Sequence, residues 1–254
     1  MRAIVLSAGQ GKRLLPYTAT KPKCLLEVSE GRSLLDQQLQ TLARCGVEQA
    51  TVLTGFGADH VDRFVNGYRF GSMNVETLYN PFYSVTDNLA TCWFARPAMI
   101  DDFILLNGDT VFEDELLTHV LHAPHAPVNV TIDRKDDYDA DDMKVTLDTE
   151  GRLCAIGKEL PSHTVDGESI GMLLFRGAGV QRYRDALDRA IRLQESMHNW
   201  YLSVVNDMAQ KMAVGTLSIE GHWWAEIDSP EDLDAARGHY MQHGDAPRAV
   251  GSAG

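Results

Sequence analysis

Short apolar runs alternate with amphipathic stretches along the chain, and this alternation predicts an α/β fold. Apolar runs that predict buried strands lie at residues 2–6, 50–54, 75–79, 103–106, 128–132 and 172–175. Ser33 to Arg44 places its leucines on one helical face, and Gly46 follows as a helix stop. Because strands separated by helices form parallel βαβ units, we expect a ligand at the carboxyl ends of the strands.

The second half of the chain predicts a hairpin and three helices. Residues 144–147 and 153–156 predict a β-hairpin, and helical spacing continues over residues 177–195 and 201–212. Ser229, Pro230 and Asp232 form a strong helix start. We therefore predict an α/β fold with a mixed, mostly parallel central sheet flanked by helices and a small β-hairpin subregion. Residues 1–242 would form a single domain, and residues 243–254 a disordered tail or the start of a linker.

Composition and charge narrow the class of function. A net charge of −13 argues against a nucleic-acid partner, which needs a basic surface. No apolar run reaches the ~18 residues that span a bilayer, so no membrane partner is expected. The N-terminal residues begin a core strand and not a leader peptide. The cysteines lie far apart in sequence, which favours free buried thiols in a cytoplasmic protein over disulfides or zinc; they are Cys24, Cys45, Cys92 and Cys154.

The loop after the first predicted strand has the features of an anion site. Gly9 and Gly11 allow main-chain N–H groups to approach a ligand closely, and successive N–H groups form a concave anion site. Arg13, Lys21 and Lys23 bring cations to the same neighbourhood. Strand, loop and cations suggest a site for a nucleoside polyphosphate. An ordinary glycine turn remains the alternative, because neither the Walker A nor the Rossmann glycine pattern is complete.

A resemblance to a known family rests on this stretch. The N-terminal signature of the nucleotidyltransferases that make activated sugars and alcohols is similar to residues 9–13, Gly-Gln-Gly-Lys-Arg, followed by residues 22–25, Pro-Lys-Cys-Leu. The resemblance extends over about residues 2–237 and implies a Rossmann-like fold. It also implies in-line attack of a phosphate on a nucleoside triphosphate, with release of pyrophosphate and without a covalent intermediate. Lys23 would bind the α-phosphate, and Arg13 the β- and γ-phosphates. The nucleotide contacts that it implies in this stretch are Leu6, Ala8, Gly9, Gly11, Lys12, Arg13 and Lys23.

The segment at residues 80–93 resembles the cytidylyltransferase branch of that family, typified by phosphocholine cytidylyltransferase. Its sequence is Asn-Pro-Phe-Tyr-Ser-Val-Thr-Asp-Asn-Leu-Ala-Thr-Cys-Trp. Asp87 or Asn88 would face the nucleobase, and a loop with a helix N-cap is the alternative. CTP is thus the favoured nucleotide, with a small phosphorylated alcohol or amine, a phosphonate or a polyol phosphate as acceptor. A hexose-1-phosphate enzyme that uses UTP, dTTP or GTP is the alternative.

Two aspartates far apart in sequence are the predicted metal ligands. Asp109 follows a predicted strand on a glycine turn, and Asp228 immediately precedes a predicted helix start. The family holds its two metal ligands at these motifs, and Mg²⁺ prefers such oxygen ligands. A turn or capping role is the alternative for each. For Glu226, two residues before Asp228, a role outside the metal site is favoured.

The acceptor half of the site is less sharply defined. In the family a lysine after the hairpin binds the acceptor phosphate, and Lys158 matches it, with Lys144 as a second candidate. Glu168 is an expected acceptor contact that would suit hydroxyls or a cationic amine. The acidic run at residues 136–142 predicts a solvated loop, with a metal cluster as the less favoured interpretation.

Two other classes of protein are disfavoured by the motifs. A non-catalytic nucleotide-binding subunit would be expected to lose Arg13, Lys23, Asp109 or Asp228, and all four are present. A metal-dependent glycosyltransferase would carry an Asp-x-Asp motif, whereas residues 107–109 are Asn-Gly-Asp. For the oligomeric state, a homodimer is a possible arrangement that the sequence does not decide.

Overall fold

A computed structural model of the protein describes residues 1–244 of the 254, apart from the side chains of residues 194 and 195. The α-helices of this part are α1 (Leu34–Arg44), α2 (Ala58–Gly67), α3 (Asn88–Phe94), α4 (Asp114–Leu121), α5 (Ala178–Ala190), α6 (Tyr201–Ala209) and α7 (Pro230–His243). The strands are β1 (Arg2–Ser7), β2 (Glu27–Ser29), β3 (Arg32–Ser33), β4 (Gln49–Thr54), β5 (Asn74–Tyr79), β6 (Phe103–Asn107), β7 (Thr110–Phe112), β8 (Val128–Asp133), β9 (Lys144–Leu147), β10 (Leu153–Gly157), β11 (Gly167–Phe175), β12 (Gly215–Ser218) and β13 (Trp224–Glu226).

The central sheet is mixed, with a parallel half that carries the N-terminal strand. β5, β4, β1 and β6 lie side by side and parallel, so their carboxyl ends meet at one edge. β11 then pairs antiparallel with β6, β8 and β9, and β10 closes the predicted hairpin against β9. The predicted fold class, including the hairpin, is therefore confirmed.

Helices cover both faces of the sheet because side chains alternate along each strand. Ile4 and Leu53 pack on one face with residues of α3, α5 and α6. Ala3, Val5 and Val52 pack on the other with residues of α1, α2 and α4. Each fully buried Val, Leu or Ile side chain stabilises the folded state by about 1.5–3 kcal/mol relative to an exposed one. Both layers therefore help to hold the strands of the sheet, and the edge where they end, in place.

A third, smaller apolar cluster fixes the C-terminal segment against the N-terminal one. Leu14 and Leu26 pack there with Ile227 and Leu233, all of them nearly or fully buried. The capping box of Ser229 and Asp232 starts α7 at the predicted position. This cluster therefore holds the chain on either side of Asp228 close to the glycine loop.

Three expectations need correction or limitation. The helix predicted over residues 177–195 ends at Ala190. Beyond it the chain turns back toward α3, because the carbonyls of Met197 and Asn199 accept the backbone N–H groups of residues 87 and 89. All four cysteines are free thiols, but only Cys24 and Cys92 are buried, whereas Cys45 is half-buried and Cys154 is exposed. The predicted tail lies outside the described residues from 245 onward, and α7 extends to His243, one residue past the predicted domain end. None of the helices described in residues 1–244 has the length and apolarity that crossing a membrane requires.

Candidate active site

The glycine loop leaves the carboxyl end of β1 and packs against Lys23. Gly11 has a φ of 75°, and a Cβ atom there would lie 2.9 Å from the Cβ and Cδ atoms of Lys23, so only glycine fits. A cavity of about 470 Å³ opens beside the loop. Its lining includes Leu6, Gly9, Gly11, Lys12, Arg13, Lys23, Asp109 and Asp228. The structure thus brings together residues predicted to bind the triphosphate and residues predicted to bind the metal.

Lys23 lies at the bottom of this cavity and is held by two carboxylates. Its side chain is only 10% exposed, and its Nζ lies 3.0 Å from Oδ2 of Asp109 and donates also to Oδ1 of Asp228. Burial lowers the pKa of Lys23, but the two carboxylates more than offset this effect, and the net pKa is raised. The ammonium group therefore stays charged. Lys21, two residues earlier, is exposed.

Three carboxylates meet beside Lys23. β7 pairs antiparallel with β13, which sets Glu226 opposite Thr110, and the Ile227 N–H donates to the Asp109 carbonyl at 2.9 Å. As a result, one oxygen each of Asp109, Glu226 and Asp228 lies within 4.8 Å of the others. Glu226 is an exposed residue, but loss of solvation at its carboxyl group, followed by the charges of Asp109 and Asp228, raises its pKa to about 8.

The donor set of this cluster fits a divalent cation. Oδ1 of Asp109 is buried and has no hydrogen-bond partner among the described residues. An orphaned carboxylate oxygen is costly to bury, and a cation would satisfy it. Three carboxylates without nitrogen or sulfur match the preference of Mg²⁺ and Ca²⁺ for oxygen. Glu226 was not among the predicted ligands, although its position opposite Thr110 makes it part of the same cluster.

A second cavity, of about 300 Å³, lies at the start of α3. It is lined by Leu6, Ala8, Gly9, Tyr83, Thr86, Asp87, Asn88, Thr91, Asn107, Gly108, Asp109 and Trp200. The Asp87 side chain makes no capping bond to its helix, whereas Oδ1 of Asn88 accepts the backbone N–H of Tyr201 at 2.9 Å. Of the two predicted base contacts, Asn88 therefore uses its side-chain oxygen in a hydrogen bond within the protein, whereas Asp87 makes no such bond to its helix. The amide nitrogen of Asn88 can still donate to another partner.

A third and larger cavity, of about 780 Å³, extends from the carboxylate cluster to the hairpin. Lys158 and Glu168, both predicted acceptor contacts, line it together with Trp200 and Trp224. Nζ of Lys158 lies 4.4 Å from the centre of the Trp200 ring, a cation–π distance. Lys144 is placed differently: it is buried, and its Nζ donates to the backbone carbonyls of Asp139 and Lys158. Its predicted contact with the acceptor stays untested.

Glu168 belongs to a mixed charge cluster in the wall of this cavity. Nζ of Lys135 lies 2.7 Å from Asp142 and 3.1 Å from Glu168. Burial raises the pKa of Glu168 to about 7, with Lys135 opposing the shift. Burial also raises the pKa of Asp142, but hydrogen bonds from Lys135 and the Asp139 backbone outweigh it and leave the pKa lowered.

Part of the acidic run adjoins the candidate site, while the run itself is an exposed loop as predicted: Asp136, Asp137, Asp139 and Asp141 are exposed, and Asp142 is half-buried. Asp139, Asp141 and Asp142 line the cavity of about 780 Å³. The counter-charges come from residues remote in sequence, such as Arg13, which lies 2.9 Å from Asp141. No local pattern could have indicated these pairings, nor the position of Trp200.

These features define a class of protein. An α/β sheet carries at one edge a glycine loop with cations, a carboxylate cluster and three adjoining cavities, all three lined by Asp109. Such an edge suits two phosphate-bearing ligands that meet at a carboxylate able to hold a metal ion. Residues 2–143 match the family model "Nucleotidyl transferase". Because this match covers more than half of the chain, the protein belongs to the nucleotidyl transferase family.

Relatives within this family include named cytidylyltransferases. A CMP-5'-(3-aminopropyl)phosphonate synthase of Streptomyces rubellomurinus is 36% identical over 126 residues, which are 50% of this chain and 20% of that protein. A CTP:phosphoglutamine cytidylyltransferase of Campylobacter jejuni is 24% identical, with 92% of this chain and 98% of that protein covered. The solved CTP:phosphocholine cytidylyltransferase of Streptococcus pneumoniae superposes with a TM-score of 0.73 at 18% identity, over 94% of this chain and 98% of that one. At that identity the superposition supports the fold alone.

Proposed function

We propose that the protein transfers CMP from CTP to a small phosphorylated alcohol or amine, or to a phosphonate, with release of pyrophosphate. The observation that carries this proposal is the meeting of three cavities at Asp109. The cavity at α3 would take the cytosine nucleoside, the cavity at the glycine loop the triphosphate, and the cavity at the hairpin the acceptor. The names of relatives matched over half or nearly all of the chain favour CTP over other nucleotides.

Catalysis by this arrangement consists of holding two anions together. A phosphate monoester has its second pKa near 6, so the attacking oxygen is already deprotonated at neutral pH and needs no general base. Two unit charges at about 3 Å repel by several kcal/mol at an effective dielectric of ~20. Lys23 would stabilise the α-phosphate, Arg13 the β- and γ-phosphates and Lys158 the acceptor. In-line attack with departure of pyrophosphate then follows from orientation and charge neutralisation.

Asp109 and Asp228, with Glu226, would hold a divalent cation, for which Mg²⁺ is our proposal. Bound there, the cation would supply positive charge against the negative charge that develops on the phosphate oxygens. Lys23 meanwhile keeps Asp109 and Asp228 close together, as its contacts to both carboxylates indicate.

The test is a pyrophosphate-release screen of CTP, UTP, GTP and dTTP against matched acceptors. These would include phosphocholine, 2-aminoethylphosphonate, a polyol phosphate and glucose 1-phosphate. We expect turnover with CTP and a small phosphate or phosphonate. Turnover only with UTP, dTTP or GTP and the hexose phosphate would replace this proposal with the sugar-nucleotide alternative. No pyrophosphate release with any pair would refute nucleotidyl transfer by this chain.

A further inference from the structure

Asp141 joins the two halves of the site. Its Oδ2 lies 2.9 Å from Nη1 of Arg13, and its Oδ1 lies 3.4 Å from Nζ of Lys158. Arg13 is the cation assigned to the triphosphate, and Lys158 is the cation assigned to the acceptor phosphate. One carboxylate therefore lies between the two side chains that are to bind phosphate groups.

The backbone around Asp141 is fixed although the side chain itself is 69% exposed. On one side, the Asp139 carbonyl accepts a hydrogen bond from the buried Lys144. On the other, Asp142 is paired with Lys135 at 2.7 Å, and its carboxylate also accepts the Asp139 N–H at 2.6 Å. Because residues on both sides of it are held by these contacts, Asp141 is placed where its carboxylate pairs with Arg13 and Lys158, although the loop is exposed.

We propose that Asp141 competes with the acceptor: its carboxylate occupies the position of the acceptor's phosphate in the free protein and must be displaced when the acceptor binds. This inference rests on the proposed function for the roles of Arg13 and Lys158. A phosphate monoester carries up to two charges and three strong acceptor oxygens, so it replaces a carboxylate with a net gain. A singly charged anion replaces it with little gain. Asp141 therefore lowers the affinity of the site for an anion by the free energy that its own displacement requires.

The opposite role for the same contacts would be to position the two cations. In that case removal of the carboxylate would weaken anion binding, because Arg13 and Lys158 would lose their orientation. The sign of the effect therefore separates displacement from positioning.

The experiment is a calorimetric titration of the metal-free protein with methyl phosphate, a dianion at about pH 8, and with dimethyl phosphate, a monoanion. Asp141→Asn is compared with wild type and with Asp137→Asn. Asp137 is an exposed residue of the same acidic run, outside the described cavities and without an ion pair in the described chain. The control therefore removes one negative charge from the same run and leaves the contacts of Asp141 with Arg13 and Lys158 unchanged.

We expect Asp141→Asn to bind both anions about five-fold more tightly than wild type, which is ~1 kcal/mol at 1.4 kcal/mol per factor of ten and within the range of exposed ion pairs. Asp137→Asn should stay close to wild type. In turnover, KM for the acceptor should fall in Asp141→Asn with kcat unchanged.

Weaker binding by Asp141→Asn, equal effects of the two substitutions, or no binding of methyl phosphate by either Asp141→Asn or wild type would each overturn the inference. The titration contains neither CTP nor a metal ion. Its outcome can therefore be separated from a failure of the proposed transfer reaction.

Discussion

Replacement of Lys23 by methionine should destabilise the protein, because Lys23 is the buried cation between two carboxylates. Its side chain is 10% exposed, and those of Asp109 and Asp228 are 27% exposed. Methionine keeps an unbranched apolar stem that can pack against Gly11 as the lysine stem does. The substitution therefore removes the charge while it retains most of the packing.

The magnitude follows from what remains at the site. Removal of one partner from a buried ion pair typically costs about 3–5 kcal/mol. Here the two aspartates are partly exposed and Arg13 still pairs with Asp228, so we expect a loss of about 2–3 kcal/mol in the free energy of unfolding. Loss of Lys23 also removes a charge that opposes the raised pKa of Glu226, so Glu226 should bind a proton more readily in Lys23→Met than in wild type.

Urea denaturation of wild type, Lys23→Met and Lys21→Met measures the effect, with pyrophosphate release as the functional assay. Because Lys21 is exposed, Lys21→Met should stay within about 0.5 kcal/mol of wild type. Added Mg²⁺ should stabilise Lys23→Met more than wild type, since it neutralises the same carboxylates. Turnover should fall by about 10²–10³ in Lys23→Met and far less in Lys21→Met. Equal effects of the two substitutions on stability and turnover would refute this account of Lys23.

Three further predictions concern neighbouring positions. Asp109→Asn should abolish metal-dependent pyrophosphate release while circular dichroism stays native, and full activity would refute its assignment as a ligand. Gly108→Ala should cost about 1–3 kcal/mol in unfolding free energy and reduce turnover, because its Cβ would lie 2.5 Å from the Leu6 carbonyl oxygen. Gly238→Ala, with open space around its Cβ, is the control and should be neutral or stabilising. Burial raises the pKa of Glu168 from 4.5 to about 7, so the folded protein binds a proton more tightly there and loses stability as pH rises through that interval. Glutamine does not titrate, so the free energy of unfolding of Glu168→Gln minus that of wild type should rise by about 2–3 kcal/mol from pH 4.5 to pH 7.5 in urea denaturation. A difference between the two proteins that does not change with pH would contradict the raised pKa.

The sequence was sufficient to place candidate site residues in the fold where the signal is local. A strand, a glycine loop and nearby cations are contiguous at residues 2–23, so their backbone geometry and chemistry could be predicted together. The same holds for Asp109, which follows β6 directly on a glycine turn, and for Asp228 beside the capping box of α7. In each case a short stretch of sequence contains both the candidate residue and the signal for the end of the strand or the start of the helix beside it.

The sequence was insufficient where a side chain's partner is remote. Asp141 pairs with Arg13 across 128 positions, and Asp142 and Glu168 share Lys135. Local charge density alone predicts that such a run is solvated. Lys144 is similar, because nothing on its own strand indicates that its ammonium group is buried beneath two carbonyls. The side-chain partners around the acceptor cavity could therefore not be predicted from the sequence.

The charges of the site form one connected system in the absence of substrate. Lys23, Arg13 and Lys158 each have a carboxylate partner, so their side chains are already ordered before a phosphate arrives. Substrate binding then does not have to fix lysine and arginine side chains that each carry ~2 kcal/mol of rotamer entropy. It has to separate ion pairs instead, and the pairs of exposed Asp141 cost at most ~1 kcal/mol each, whereas the buried pair of Lys23 and Asp109 costs more. Lys158 is thus the cation that exchanges its partner most readily, because Arg13 also pairs with the less exposed Asp228. Lys23 should turn to a phosphate only when another cation neutralises Asp109, so metal and triphosphate are expected to bind cooperatively.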